Sequence, residues 1–386
     1  MQTFVPRPLG ICLLVALLLR LVFAFLVFPV FQQHWQLRED GDGYGLIAQT
    51  IREGHYIDIT RGPVYPMFVA AAGSPAVVKF LQALLDTVTC WFVFLVAGRN
   101  WKAAALWAIY PFAIWRVAFI NKEVLVTLLL VVYVYAQLLA LRRGKFWQWL
   151  AAGGLLALVN LCKPTLLAWP LVVLAIALLH HVPFSRVAAL IVAMIVVVAP
   201  WTWRNYEATN GAFLPVATEQ GGMTTFIGNY QPTLGLWEGP GKPAWMLAVA
   251  EIRAQHPGAS AVELDRTYYA AALKQILGNP VKATGMFVRK CARFWFLSAA
   301  QREQVIAFLI QIAYLTLLGI GLWRQWPWEV ETVLVLALIA YVMLIHALSY
   351  ADLRFSLYVM PFVCVLASGM SQPKLRSTAA TVSAAR

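Results

Sequence analysis

Long runs of apolar residues, separated by short polar stretches, dominate the chain as far as about residue 370. A membrane-spanning helix needs roughly 20 apolar residues, and on that basis the runs predict about ten spans. They cover residues 9–30, 75–98, 102–120, 123–141, 147–162, 165–181, 186–203, 304–323, 330–348 and 354–370. The fifth and sixth are short and meet at Lys163-Pro164, so they form either a tight hairpin or one broken segment. The pattern predicts an all-α polytopic membrane protein.

Composition supports this interpretation. Of the 386 residues, 61% are hydrophobic and 12% are charged, whereas soluble domains are about half apolar and about a quarter charged. The five cysteines lie mostly in apolar runs without metal-ligand spacing, and we interpret them as core residues. The first apolar run is too long for a signal peptide and contains Arg20, so we expect a retained anchor.

The net charge of +13 is explained by the position of the basic residues. Lys and Arg are enriched in the cytoplasmic loops of membrane proteins. If the N-terminus is cytoplasmic, that side receives Arg7, Arg99, Lys102, Arg142, Arg143, Lys145, Arg186, Arg324, Lys374 and Arg376. We therefore expect no nucleic-acid partner. The outer side receives residues 31–74, a turn at 121–123, the break at 163–164, a large loop at 201–303 and a turn at 349–353.

This topology divides the chain into regions. We expect a membrane core over residues 1–203 that includes the first outer loop at 31–74, an outer region over 204–303, C-terminal spans over 304–370, and a polar cytoplasmic tail over 371–386.

Periodicity predicts helices within the outer loops. A short amphipathic helix is expected over 44–54, and others over 261–278 and 281–297. The last is basic and would suit either anionic lipid headgroups or a phosphate-bearing substrate. The stretch 219–241 is rich in Gly, Asn and Pro, so we expect it to be irregular.

The densest polar feature is the turn Arg38-Glu39-Asp40-Gly41-Asp42-Gly43-Tyr44 in the first outer loop. Asp42 suits the N-cap of the helix that starts near Tyr44. Asp40 lies too far upstream for that role, so capping does not account for it. The two aspartates could also hold a divalent metal, but the third ligand and closing Glu of a calcium loop do not follow, and we assign no metal ligand and no certain cofactor.

Two opposite charges fall inside predicted spans. Arg20 lies about midway along the first span and Asp86 about midway along the second, and antiparallel helices place them at the same depth. A lone charge there would cost several kcal/mol, so we expect a pair, either structural or acting as a relay. Lys79 lies nearer the outer end of the second span, where it either reaches a substrate phosphate or snorkels.

Five polar blocks occur in a distinctive order. They are Asp40 to Gly54 followed by Arg61-Gly62-Pro63-Val64-Tyr65-Pro66; Asn121-Lys122-Glu123; Lys163-Pro164; Pro200-Trp201 with Arg204-Asn205, Gly221-Gly222 and Gly228-Asn229; and Asp352-Leu353-Arg354-Phe355 with Pro361. In these blocks the chain resembles the GT-C superfamily of polyprenyl-phosphate-sugar glycosyltransferases, specifically the small bacterial relatives of protein mannosyltransferases and of the lipid A aminoarabinose transferase.

The resemblance implies a GT-C-like bundle in the bacterial inner (plasma) membrane, surrounded by membrane lipids, with its active site on the periplasmic face. It implies inverting transfer of a sugar from a polyprenyl-phosphate donor to an extracytoplasmic glycolipid, cell-wall glycan or protein. It also implies an acidic residue in the first outer loop that acts as a base or orients the acceptor. Asp40 is the better positional match and Asp42 the alternative.

The chemistry of glycosyl transfer points to candidate residues without reference to the resemblance. Glycosyl transfer needs a carboxylate to take the proton of the acceptor hydroxyl and cations where the phosphate leaving group gains charge. The catalytic candidates are Asp40, Asp42 and Glu123, and the candidates for binding donor phosphate are Arg61, Lys79, Lys163, Arg204 and Arg354. Each also has a structural interpretation, such as an acid at a helix start for Glu123 or a lipid-phosphate anchor for the two outer arginines Arg204 and Arg354.

Two other functions remain open. A transporter or lipid flippase would usually show paired repeats and polar groups at the membrane midplane, whereas this chain has one helix break and its polar groups gather at one face. A transferase of the O-antigen-ligase type would also have a large outer loop, but it would use a diphosphate-linked donor.

Overall fold

The computed structural model describes residues 6–56, 58–237, 242–297 and 304–370, and regular secondary structure within these ranges is helical. In the described part of the chain, six helices are long and apolar enough to cross a membrane, which is compatible with a multi-pass membrane protein. They are Arg7–His34, Pro75–Val96, Glu123–Arg143, Phe184–Ala208, Gln304–Arg324 and Val330–Leu348. The first contains a π-helical turn at Phe23–Val27. The predicted tail at 371–386 lies outside the described residues.

The other four predicted spans are shorter or broken, so six helices rather than about ten have the length of a full span. They correspond to Trp101–Ala108 with Pro111–Arg116, to Phe146–Cys162, to Trp169–Leu179, and to Leu353–Ser356 with Met360–Ser368. A proline lies in the first turn of several of these pieces, and a 3₁₀ turn at Pro164–Leu166 separates the second from the third. Proline interrupts helices because it lacks the backbone N–H and clashes with the preceding turn.

The outer helices occur where periodicity predicts them. They are Tyr44–Arg52, Ala261–Gly278 and Pro280–Phe296, and the outer segments also form Val64–Ala72, Gly221–Asn229, a 3₁₀ turn at Gln231–Thr233, and Lys242–Gln255.

The expectation that 219–241 is irregular is wrong for Gly221–Asn229, and residues 238–241 lie outside the described ranges. The glycines in this helix permit close packing. A Cβ at Gly222 would lie 1.9 Å from the carbonyl oxygen of Asp265, and one at Gly228 would lie 2.2 Å from that of Ser349. Because glycine has no Cβ, the helix can pack directly against the backbone of its neighbours at these two positions.

The buried pair of Arg20 and Asp86 is present as predicted. Their side chains form a salt bridge and are 0% and 3% exposed. The Arg20 guanidinium also donates to the carbonyl oxygens of Ala16 and Ala108 at 3.0 and 2.9 Å. Because these partners lie on three different helices, the pair ties the N-terminal helix to Pro75–Val96 and Trp101–Ala108.

The basic outer helix Pro280–Phe296 is fastened to the bundle by two of its own cations. Lys290 is 1% exposed, and it donates to Asn229 Oδ1 at 2.9 Å and to the carbonyl of Ser349 at 3.1 Å. Arg293 donates to the carbonyls of Leu234 and Gly235, at 3.2 Å each. Burial, and then the neighbouring Arg293, lower the pKa of Lys290 to about 8. Thus these two cations hold the helix in place internally.

Candidate functional site

The acidic turn of the first outer loop has its two aspartates in different roles. Asp40 accepts hydrogen bonds from the backbone N–H groups of Tyr44, at 2.9 Å, and Gly45, at 2.6 Å. The expectation that Asp42 caps this helix, with Asp40 too distant, is therefore wrong. Gly43 adopts a left-handed conformation at φ +74°, which L-residues other than Gly rarely adopt, and the turn brings the earlier carboxylate to the helix start.

The Asp42 carboxylate does not take part in capping the helix. The residue is half-buried, and its side chain makes no hydrogen bond to another residue that the structure describes. It lies within electrostatic reach of both Arg61 and Arg354. Burial raises the pKa of the nearby Tyr44, and the charges of Glu219, Arg61, Asp42 and Glu123 also act on this pKa. Charged groups from distant segments therefore meet around the start of this helix.

Glu219 is the carboxylate that links the outer region to the membrane bundle. It forms an ion pair with Lys122 and accepts a hydrogen bond from the Gly62 N–H at 3.1 Å. Burial alone would raise the pKa of the Glu219 carboxyl, but Lys122 and Arg61 outweigh it and lower this pKa below its usual value. The residue is therefore ionised near neutral pH.

The loop around Gly62 lies directly on the break between the two short apolar helices. A Cβ at Gly62 would be 2.3 Å from the carbonyl oxygen of Leu161, so only glycine fits there without a shift. This contact places Arg61 beside the segment that carries Lys163.

Lys163 lies in an aromatic enclosure. Its Nζ donates to the Tyr358 hydroxyl at 3.0 Å and lies 3.4 Å from His346 Nε2. The ammonium is also 4.3 Å from the ring centroid of Phe355 and 4.5 Å from that of Tyr358, a cation–π geometry. Burial, and then the like charge of Lys122, lower the pKa of Lys163 to about 7. Its charge can therefore change within the physiological range.

Glu123 opens the helix Glu123–Arg143 and is 2% exposed. Its Oε2 is buried without a hydrogen-bond partner in the described structure, and four cations act on it: Arg354, Arg116, Lys163 and Lys122. The buried carboxylate balances part of this positive charge, since a cation cluster without an anion would be costly to bury.

Arg354 is carried by the short helix Leu353–Ser356, whose N-cap Asp352 accepts from the Arg354 N–H at 2.9 Å. Its guanidinium lies 4.8 Å from the Phe355 ring centroid. Neither this guanidinium nor those of Arg61 and Arg116 donate a hydrogen bond to another residue in the described ranges. An arginine has five N–H donors in a geometry that matches phosphate, so these donors are available to an anionic ligand.

Arg204 and Lys79, two further phosphate candidates, already have protein partners. Arg204 donates to the carbonyls of Tyr56 and, at 3.0 Å, Asp58, and its guanidinium lies 4.7 Å from the Trp201 ring centroid. It therefore holds the first outer loop against the helix Phe184–Ala208. Lys79 forms an ion pair with Glu39 at 2.9 Å.

The structure thus brings together five of the predicted residues: Asp42, Arg61, Glu123, Lys163 and Arg354. Sequence reasoning missed three others. Lys122 was part of a motif block, so a signal for it existed. Arg116 lies inside the predicted span 102–120, where a charge is itself a signal. Glu219 pairs with a residue 97 positions away, a contact that a local pattern cannot reveal. No three His, Cys, Asp or Glu residues of the described chain group as metal ligands would.

An apolar cavity of about 430 Å³ lies along the C-terminal half of the helix Phe184–Ala208. Its lining residues are Leu167, Met194, Ile195, Val198, Ala199, Thr202, Trp203, Tyr206, Phe213 and Pro215. Leu167 follows the Lys163 break, and Trp203 and Tyr206 flank Arg204 in sequence. The cavity is thus contributed by the same segments that carry two of the predicted cations.

Comparison with known proteins does not assign the chain to a family. No family model matches it, and no curated protein is significantly similar to it. Its function must therefore be inferred from the site that these residues form.

Proposed function

We propose that the protein is an inverting glycosyltransferase that moves a sugar from a polyprenyl-phosphate donor to an acceptor outside the cytoplasm. One observation carries this proposal. The Asp42 carboxylate lies within electrostatic reach of Arg61 and Arg354. Neither this carboxylate nor the two guanidinium groups form a hydrogen bond to another described residue. A base beside phosphate-binding cations is the minimum that glycosyl transfer from a phosphate requires.

In this proposal the acceptor hydroxyl attacks the anomeric carbon of the donor sugar from the face opposite the phosphate. The new bond joins the acceptor oxygen to that carbon, while the bond from the carbon to the phosphate oxygen breaks and its electron pair stays on the phosphate. Asp42 takes the acceptor proton. The phosphate changes from a diester with one negative charge to a monoester with up to two, and the nearby cations stabilise the added charge.

The guanidinium donors of the site support an anionic substrate. Arg61, Arg116 and Arg354 donate no hydrogen bond to another described residue, although carboxylates lie within electrostatic reach of them. Electrostatic attraction is stronger in such a partly buried site than in water. A phosphate that accepts from these donors would form charge-assisted hydrogen bonds, and this gives the substrate a favourable binding free energy.

The apolar cavity supports a lipid-linked substrate rather than a soluble sugar nucleotide. It opens on a helix that is long enough to span a membrane, and most of its lining side chains are apolar. An isoprenoid chain would fill such a cavity, because apolar surface gains free energy when it leaves water. We place the site on the outer face of a bacterial plasma membrane as part of the same proposal, together with a GT-C-like arrangement of the spans.

Asp42→Asn tests the assignment of the base, and Asp40→Asn is its matched control. Removal of a general base typically costs 10²–10⁴-fold in rate, so we expect Asp42→Asn to lower turnover about 100-fold or more. Asp40→Asn should instead reduce stability by about 1 kcal/mol, because an amide has one acceptor oxygen and loses one of the two backbone hydrogen bonds, and it should retain most activity. The measurement is release of free polyprenyl phosphate from labelled polyprenyl-phosphate sugars, alongside thermal unfolding.

Two outcomes would contradict the proposal. Full activity in both variants would show that the site is assigned wrongly. Movement of the labelled lipid across liposomes, with no release of polyprenyl phosphate, would favour the transporter.

A further inference from the structure

Glu219 occupies a set of donors that would equally suit a phosphate. Its carboxylate accepts from the Gly62 N–H at 3.1 Å, pairs with the Lys122 ammonium, and is attracted by the Arg61 guanidinium. A backbone N–H, an ammonium and a guanidinium around one anion form a combination that proteins use for phosphate oxygens. We call Gly62 N–H, Arg61 and Lys122 the anion cradle.

The carboxylate reaches the cradle from a different part of the chain and in a constrained backbone. Glu219 and Gln220 are consecutive residues with left-handed φ angles of +51° and +52°, a conformation that is unfavourable for residues other than Gly. The preceding residues 214–216 are held by Thr202 and Asn205, which donate to the carbonyls of Pro215, Leu214 and Val216. Thr218 donates its N–H to the Ile59 carbonyl at 3.1 Å. The attraction of the cradle offsets the unfavourable backbone at Glu219 and Gln220, and loss of the attraction would loosen residues 218–220.

We propose that Glu219 is an internal competitor of the substrate, and that the phosphate of polyprenyl phosphate enters the anion cradle by displacing it. This inference rests on the proposed transferase function and names the position of the phosphate within that site. A phosphate monoester carries about −1.5 to −2 charges and three acceptor oxygens, whereas a carboxylate carries one charge and two oxygens. The phosphate therefore competes best after the sugar has left, when its charge is greatest. Once the lipid phosphate departs, Glu219 closes the cradle again.

A purely structural ion pair makes the opposite prediction. If Glu219 only holds the outer segment in place, its neutralisation would loosen the site and weaken ligand binding. If Glu219 competes with the ligand, its neutralisation would strengthen binding, because the apparent dissociation constant is the intrinsic constant divided by the fraction of molecules in which the cradle is free.

The test is Glu219→Gln, with Glu251→Gln as the control for net charge. Gln keeps an oxygen that accepts from the Gly62 N–H but lacks the charge that competes, whereas Glu251 is an exposed residue of the outer helix Lys242–Gln255. The probes are polyprenyl phosphate in nanodiscs, polyprenol of the same chain length, and inorganic phosphate, each measured by equilibrium binding. If the cradle is occupied in nine molecules of ten, Glu219→Gln should bind polyprenyl phosphate about tenfold more tightly, with no change for polyprenol or in Glu251→Gln.

Hydrogen exchange on the wild-type chain provides a second measurement that needs no variant. Displacement of Glu219 predicts faster amide exchange in residues 218–220 when polyprenyl phosphate is added, although ligands usually slow exchange near their sites. Unchanged or slower exchange in this segment, or unchanged or weaker binding by Glu219→Gln, would overturn the proposal while leaving the transferase function intact.

The binding arms separate the two proposals. Tighter binding of inorganic phosphate by Glu219→Gln, without binding of polyprenyl phosphate by either protein, would support the cradle and contradict the lipid-linked donor. Failure of every phosphate probe to bind would overturn both.

Discussion

Substitution of Arg20 by Met tests whether the bundle is held together by its buried ion pair. The change removes the charge that faces Asp86, which is only 2% exposed, and leaves a carboxylate buried without its cation. Breaking one side of such a pair costs about 3–5 kcal/mol. The Ala108 carbonyl also loses the Arg20 donor at 2.9 Å, which adds about 1–3 kcal/mol. We therefore expect a loss of at least about 4 kcal/mol.

The double substitution Arg20→Met with Asp86→Leu separates these contributions. It removes both charges, so what remains is the loss of the Arg20 donors at the carbonyls of Ala16, Trp107 and Ala108. The largest cost is about 1–3 kcal/mol at Ala108, because the Trp107 carbonyl still accepts from the Tyr110 N–H. The double variant should thus be more stable than either single variant. Arg7→Met, at the exposed start of the same helix, is the control and should change stability by less than about 0.5 kcal/mol.

The assay is reversible unfolding in mixed micelles, followed by circular dichroism, for the wild type and all four variants. A double-mutant cycle then gives the coupling free energy of the pair. If the losses of the two single variants simply add in the double variant, the two charges do not stabilise each other and the reasoning fails.

Two further predictions concern the site. Gly62→Ala should lower activity at least about tenfold, because its Cβ would lie 2.3 Å from the Leu161 carbonyl oxygen. The control is Gly154→Ala, whose Cβ would have nothing within 4 Å and which should be neutral or stabilising. Equal activity of the two variants would refute the close fit. With the pKa of Lys163 at about 7, its ammonium is lost as pH rises, so kcat/KM should fall above about pH 7 by up to about tenfold per pH unit. Lys163→Arg stays charged and should lose this decline in a pH–rate profile; a decline that persists would assign it to another group.

Several features of the fold could be predicted because they depend on residue periodicity or on position along a span. The pairing of Arg20 and Asp86 followed from depth along two antiparallel helices and from the cost of a lone charge in lipid. The outer helices followed from their 3.6-residue period. The shortened spans are less visible in hydropathy, because Pro111 and Pro164 interrupt helices inside runs that remain apolar.

The site was only partly predictable. The predicted topology assigned the loops of Asp42 and Arg354 to one side of the membrane, and this was sufficient to expect the two residues in the same region. Which of the two aspartates bonds the helix start was not predictable, because it depends on the left-handed turn at Gly43 that directs Asp40 there. The use of Arg204 to hold the first loop is likewise a three-dimensional result, because its carbonyl partners lie about 150 residues earlier.

The buried Lys290 has a consequence for the position of Arg354. It donates to the carbonyls of Leu348 and Ser349, at 3.5 and 3.1 Å, at the end of the helix Val330–Leu348, and the chain then runs through a short segment to Arg354. A ligand that displaces the helix Pro280–Phe296 would therefore also displace the segment that carries this guanidinium. If the proposed function is correct, such a displacement would change the alignment of the donor phosphate.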